Sequence, residues 1–131
     1  MGTCNLRHLD QEIAKRKLVY ERYTERLSGV SGLRLIQPQP GVIYNYAYYP
    51  MIFDGYRYNR EQCLSLLAEH DIIARRYFYP AVNQAECYKD RYALPRTPIA
   101  QFYAEHVLTL PLYADMTPQD ADRVCDVILK S

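Results

Sequence analysis

Residues 74–80 read ARRYFYP: two arginines, three aromatic rings, then a proline. A guanidinium is a rigid fork of donors that matches a phosphate or carboxylate. A phenol adds a face for stacking and a hydroxyl for hydrogen bonding. In an extended strand alternate side chains share a face. Arg75, Tyr77 and Tyr79 then point one way, and Ala74, Arg76 and Phe78 the other. Such a face suits an anionic ligand that also carries a ring. The competing reading is amphipathic filling, with buried tyrosine rings and arginine heads that reach solvent.

A second candidate is Asn45, set in the run YNYAYY (residues 44–49) beside Tyr46. A buried amide needs partners, so Asn45 either contacts a ligand or another backbone, or is satisfied within the fold. No nucleophile–base pair is visible. The serine spacing of GVSG (residues 29–32) is not that of a nucleophile elbow, and no glycine loop is built to cradle phosphate. The cysteines at 4, 63, 87 and 125 form no CxxC pair and read as reduced, buried thiols, not a disulfide framework or a zinc site. The histidines at 8, 70 and 106 are equally scattered and fit helix ends or surface. No metal site is expected.

The elements that must carry these residues follow from periodicity. Leu6, Leu9, Ile13, Tyr20, Tyr23 and Leu27 keep a three-four spacing, which predicts a helix over residues 5–28 with Arg16 interrupting the stripe. Glu12 and Arg16 are placed for an i,i+4 pair, Thr3 for a cap, and Gly29 and Gly32 for the stop. A short strand is predicted at Leu33–Ile36. VIYNYAYYPMIFD (residues 42–54) reads as a long strand apolar on both faces, with Pro50 marking an edge or bulge. NREQ at Asn59 opens a helix with a capping box, its core face Cys63, Leu64, Leu66 and Leu67, ending near His70. IIARRYFYP (residues 72–80) is predicted as a further strand. Thr-Pro at 97 and at 117 starts two more helices around the strand VLTLPLY (residues 107–113), and Ala121, Val124, Cys125 and Ile128 line the core face of the last. The sum is a single α+β domain over residues 1–131: a small, mainly antiparallel sheet with helices packed on one face, preceded by a long N-terminal helix.

Composition narrows the function classes. The chain has 131 residues and a formal net charge of +1, which argues against a global electrostatic attraction to nucleic acid or anionic membrane. No apolar run approaches the roughly 20 residues of a membrane span. MGTCNLRHLD carries no apolar signal core, so the cytoplasm is the expected address. Fourteen tyrosines and no tryptophan suit surfaces covered in an assembly but polar at one edge.

Taken together, NLRHLDQEIAKRKLVYERYTERL, NYAYYPMIF, ARRYFYP with the following CY, and VLTLPLYADMTPQDADRVCDVI resemble the C-terminal portion of the DegT-type (DegT/DnrJ) nucleotide-sugar aminotransferases. The similarity keeps the motif order across nearly all 131 residues, and LPLY…MT before the last helix is its most specific part. The NYAYYP and RRYFYP pair looks like the branch acting on dTDP-4-keto-6-deoxy sugars. The resemblance implies a pyridoxal-phosphate enzyme of the aspartate-aminotransferase fold, acting on a nucleotide-linked keto-sugar for surface polysaccharide or antibiotic sugars. It also implies a larger N-terminal domain that supplies the Schiff-base lysine, the aspartate on the pyridinium nitrogen and the phosphate site. Lys15, Lys17, Lys89 and Lys130 match none of those motifs. The chain is therefore expected to be a fragment, begun at what would be an internal methionine of the interdomain helix. It is expected to bind no cofactor and to be silent alone.

By the same resemblance Arg75, Tyr77 and Tyr79 border the substrate cleft, Arg76 being the alternative to Arg75, with Asn45 and Tyr46 at the wall. Many relatives have a histidine where this chain has Val82. Two other readings stay open. One is a self-associating interaction module paired through the first helix, in keeping with a homo-oligomer. The other is a sheet platform that binds single-stranded nucleic acid, which near-neutral charge disfavours.

Overall fold

A computed structural model describes residues 6–89 and 97–130. Thr3, the expected cap, and Cys4 lie outside the described residues. Helix α1 spans Leu9–Leu27, later than the predicted start at residue 5, and His8 at its N-cap makes no side-chain hydrogen bond. At the other end the Ser28 N–H closes on the Thr24 carbonyl at 2.9 Å, and Gly29 leaves the helix at φ +76°. Only the second half of the predicted stripe is covered. Tyr20, Tyr23 and Leu27 are buried, joined by Val19, whereas Leu6 and Leu9 are exposed. The expected Glu12–Arg16 pair is replaced. Glu12 takes Lys15 at 3.3 Å, and the Arg16 Nε is buried with no hydrogen-bond partner among the described residues.

The sheet has three antiparallel strands in the order β1 (Leu33–Leu35), β2 (Tyr49–Phe53), β3 (Val107–Leu110). Its register sets Leu33 opposite Phe53, Leu35 opposite Met51, Met51 opposite Leu108 and Tyr49 opposite Leu110. With period-two alternation these residues share one face. Helices α1, α2 (Arg60–Glu69) and α5 (Pro118–Lys130) cover it, closing a core of Tyr23, Leu27, Tyr49, Met51, Leu67, Leu108 and Ile128. Helix α4 (Pro98–His106) reaches round to the other face, where the Arg34 guanidinium lies 6.0 Å from the Phe102 ring and 5.9 Å from the Tyr103 ring. A 3₁₀ turn at Val82–Gln84 and the one-turn helix α3 (Glu86–Lys89) fill the connection before it. Among the described residues no helix is long and apolar enough to cross a membrane.

Two predicted strands are corrected. Residues 42–48 are not strand. Tyr46 sits at φ +49°, the Asn45 Oδ1 accepts the Ala47 N–H at 3.1 Å in a local turn, and Tyr44 and Tyr46 fold onto Tyr20 of α1. The aromatic signal there came from packing on a helix, not from a ladder. Residues 72–80 touch the sheet at one point only, where the Arg75 N–H donates to the Thr109 carbonyl (3.0 Å) and the Thr109 N–H to the Arg75 carbonyl (2.8 Å). Outward backbone groups on an antiparallel edge recur at every second residue. The next such position after Thr109 is Pro111, which has no N–H, so the ladder cannot extend that way. Pro50 resolves differently. It lies in the central strand, but the β1 register ends at Met51, so nothing opposes it on that side.

The helix caps follow the sequence closely. Asn59 and Gln62 make the reciprocal capping box of α2, each bond 2.9 Å. Thr117 and Asp120 do the same for α5, with the Asp120 N–H donating to Thr117 Oγ1 (3.2 Å) and the Thr117 N–H to Asp120 Oδ2 (2.8 Å). Thr97 before α4 makes no side-chain cap bond. Gly32, at φ +81°, approaches the backbone so closely that a Cβ would lie 2.2 Å from the Tyr56 nitrogen, so only glycine fits. Helices α1 and α5 are clasped by Arg22 and Arg26 on Asp122 (2.8 and 2.6 Å) and Arg26 on Asp126 (2.6 Å).

Candidate functional site

The bridge at Arg75 turns its side chain outward over a cavity of about 560 Å³. Tyr48, Ile72, Arg75, Tyr77, Thr109 and Tyr113 are among the residues that line it. The Arg75 Nη1 donates to the Tyr77 hydroxyl at 2.7 Å, and the Tyr48 ring stands edge-on to the Tyr77 ring at 5.5 Å. Among the described residues Arg75 has no carboxylate partner. No described carboxylate is ion-paired with its other donors, although Asp71 and Asp120 line the same cavity, and two phenols stand beside it. Arg123, also on the wall, is committed to the His70 carbonyl at 2.7 Å, where it caps the end of α2. Asp120 faces the same cavity, but its bonds from Thr117 hold its carboxyl below the usual range. The site therefore offers one arginine without a carboxylate partner and three phenols, Tyr48, Tyr77 and Tyr113, with the carboxylates of Asp71 and Asp120 on the same wall. That set can grip an anionic group and stack against a ring.

The six residues singled out from sequence fall in three places. Arg75 and Tyr77 meet at the cavity, as the alternating pattern implied. Tyr79 does not join them, because residues 76–80 leave the sheet. Its ring lies 4.5 Å from the Arg60 guanidinium and 6.0 Å from that of Arg76, and Arg76 is ion-paired with Glu61. The structure thus separates Arg75 from Arg76: one faces the cavity and the other is neutralised on α2. Asn45 is exposed and spent on its own turn, and Tyr46 packs on Tyr20, so neither lines the cavity. Tyr48 takes their place. Even alternation along 42–54 could not single it out, since the left-handed turn at Tyr46 resets which side chain faces where. Tyr113 was legible only as part of LPLY.

The thiols follow burial. Cys63 and Cys125 lie in the core, and desolvation pushes each up to about 12. Cys87 departs from the expectation of buried thiols: on the one-turn α3 it reaches no core and is exposed.

Comparison with known proteins bears on what this cavity serves. Residues 1–129 match the DegT/DnrJ/EryC1/StrS aminotransferase family, and the chain belongs to it. A dTDP-4-amino-4,6-dideoxy-D-glucose transaminase of Escherichia coli is 30% identical over 131 residues, 98% of this chain and 35% of that protein. The chain thus spans about a third of the length of the curated relatives it matches. Among solved structures, the aminotransferase TlmJ of Streptoalloteichus hindustanus superposes with a TM-score of 0.85 at 26% identity, over 97% of this chain and 33% of that one. DesI, solved in the presence of its TDP-sugar product, gives 0.88 at 23% identity, over 98% of this chain and 33% of that one. The α+β architecture is thus the one these aminotransferases share.

The family depends on pyridoxal phosphate, whose chemistry requires a lysine amine at the cofactor. The described lysines do not fit that role. Lys15 pairs with Glu12 (3.3 Å) and Asp115 (3.9 Å), Lys17 with Glu21 (3.6 Å) and Lys130 with Asp126 (2.9 Å), all on exposed helix faces away from the cavity. The Lys89 side chain lies outside the described residues.

Proposed function

We propose that this chain is the substrate-side domain of a nucleotide-sugar aminotransferase, in which the Arg75–Tyr77–Tyr48 wall holds the nucleotide-linked keto-sugar. The observation that carries the reading is the Arg75 guanidinium, uncompensated by any described carboxylate and set at a cavity mouth beside two phenols. A pyrophosphate supplies the missing anion, and a nucleobase or sugar ring matches the aromatic edge. The relatives are named for dTDP- and GDP-linked sugars, which are of that class.

The division of labour follows from the lysines. When bound, pyridoxal phosphate would supply the electron sink for amino-group exchange, with the reactive amine on polypeptide other than the described residues. This chain binds and orients the sugar nucleotide and excludes water along one side of the cleft. It performs no transamination unaided.

Calorimetric titration with thymidine diphosphate tests the reading. Removing a charge-assisted contact costs roughly 1.5–3 kcal/mol, so Arg75→Ala weakens binding by roughly 10- to 150-fold. Global stability holds, because the bond to Thr109 is made by backbone. Equal affinity of Arg75→Ala and the parent chain would refute it.

A second reading has its own observation. Ile43 (99%), Phe78 (77%) and Val82 (76%) stand exposed, the last two beside a mainly apolar hollow that Tyr77 also borders. Bare apolar surface of this kind favours assembly. Self-association is expected in sedimentation at high concentration, and a clean monomer there would exclude it.

A further inference from the structure

Beyond Arg75 the chain runs to Pro80 without a sheet partner. Two sets of side chains fix it instead. Toward the cavity, Tyr77 takes the Arg75 bond and the edge of Tyr48. Away from the cavity, Arg76 and Tyr79 engage the N-terminus of α2. Glu61 is the centre of that second set. Its Oε1 accepts from the Nε of Arg60 at 2.9 Å, and its Oε2 accepts from Arg76. Arg60 is only 6% exposed, is anchored in turn on the Ala104 carbonyl of α4, and lies over the Tyr79 ring at 4.5 Å. The carboxylate thus ties a buried, pre-set arginine to a mobile-length one on the wall segment. It also draws Arg76 away from Arg75, which is left as the wall's uncommitted charge.

We propose that Glu61 is the positioning residue of the substrate wall: by holding Arg76 and, through Arg60, the Tyr79 ring, it fixes residues 76–80 so that Tyr77 and Arg75 face the cavity. Glu61 does not line that cavity. Two arginines thus share one carboxylate. If Glu61 loses its charge or Arg76 its guanidinium, the segment loses its backing, and Tyr77 and Arg75 lose their set positions on the cavity. The proposal rests on the substrate-wall reading only for its consequence in binding; the geometry it asserts stands by itself.

Two readouts keep these apart. In the full chain, nuclear Overhauser contacts between the Tyr48 and Tyr77 rings report the wall directly, without ligand. They are expected in the parent and in Glu61→Asp, and lost or redistributed in Glu61→Gln and in Arg76→Met, with the urea midpoint of Arg76→Met close to the parent's. Thymidine diphosphate affinity is expected to fall about tenfold in the same two variants. Arg76 is well exposed at 42%, so Arg76→Met keeps the test open if Glu61→Gln fails to fold. Ring contacts intact in both variants would overturn the proposal. So would loss of the contacts only in step with global unfolding, which makes Glu61 merely structural. If the parent chain shows the ring contacts but binds no nucleotide, the substrate-wall reading fails and the positioning geometry survives.

Discussion

Tyr48 and Tyr49 are neighbours in sequence, yet the structure assigns them opposite jobs, and truncating each should separate a wall residue from a core residue. Tyr49 is 2% exposed and packs its ring 4.8 Å from Tyr20 and 4.9 Å from Tyr23. Replacing a buried aromatic by alanine costs about 3–5 kcal/mol, to which the lost ring pairs contribute. Tyr49→Phe removes only the hydroxyl. Its partner, Thr24 Oγ1 at 3.2 Å, still donates to the Tyr20 carbonyl at 2.9 Å, so nothing is orphaned and the cost is about 1 kcal/mol or less. Tyr48, 51% exposed, should change stability by no more than about 0.5 kcal/mol as alanine. The assay is urea unfolding followed by circular dichroism. With a slope of roughly 1–3 kcal/mol per molar for a small protein, Tyr49→Ala lowers the midpoint by about 1–5 M, and Tyr48→Ala leaves it nearly in place. Equal midpoints for the two alanine variants would refute the split between wall and core.

Three further outcomes follow from the same structure. Asp122 and Asp126 are held below their usual range, first by side-chain bonds from Arg22 and Arg26 respectively, so the clasp is fully present above the ordinary carboxylate pKa and is lost as pH falls through it toward the folded values; an acid series of urea midpoints should fall less steeply for Asp122→Asn than for the parent. Burial pushes Tyr20 up to about 12, so the folded state favours its neutral form and stability drains as pH rises from about 10 toward that value; a phenolate absorbance titration should show Tyr20 ionising late, and ionisation at the ordinary pKa would count against its packing on Tyr44, Tyr46 and Tyr49. Thiol labelling mapped by peptide should find Cys87 modified in the native chain, with Cys63 and Cys125 protected until denaturant is added.

How far the sequence could be read depended on whether local chemistry or tertiary contact decided the outcome. Capping is local, so the Asn59–Gln62 box and the Thr117 cap could be placed from residue type and spacing, whereas Thr97, read the same way, makes no side-chain cap bond. The core face of the last helix was equally plain, since Ala121, Val124, Cys125 and Ile128 carry its whole apolar period. The tyrosine-rich segments were not. Between 42 and 48 a β-like composition packs on α1 and turns at Tyr46, a choice made by Tyr20, more than twenty positions away. Between 72 and 80 the missing strand was decided by both ends of the edge it would have joined: Pro111, opposite Ile73, has no N–H, and Val107, opposite Tyr77, spends its N–H on the Tyr103 carbonyl. The site inherits this division. Arg75 and Tyr77 could be paired from the alternation because the single bridge preserves it just there, whereas Tyr79 and Arg76 were misdirected once the chain left the sheet. Nothing in the spacing could show that Glu61 would claim one arginine and leave the other.

The central claim, that this chain forms the substrate wall of an aminotransferase cleft, is tested most directly by mapping amide chemical shifts during titration with a thymidine diphosphate-linked hexose. The account predicts perturbations gathered on Ala47–Tyr48, Arg75–Tyr77 and Thr109–Tyr113. Saturable shifts that leave those three segments untouched, or none at millimolar ligand, would contradict it.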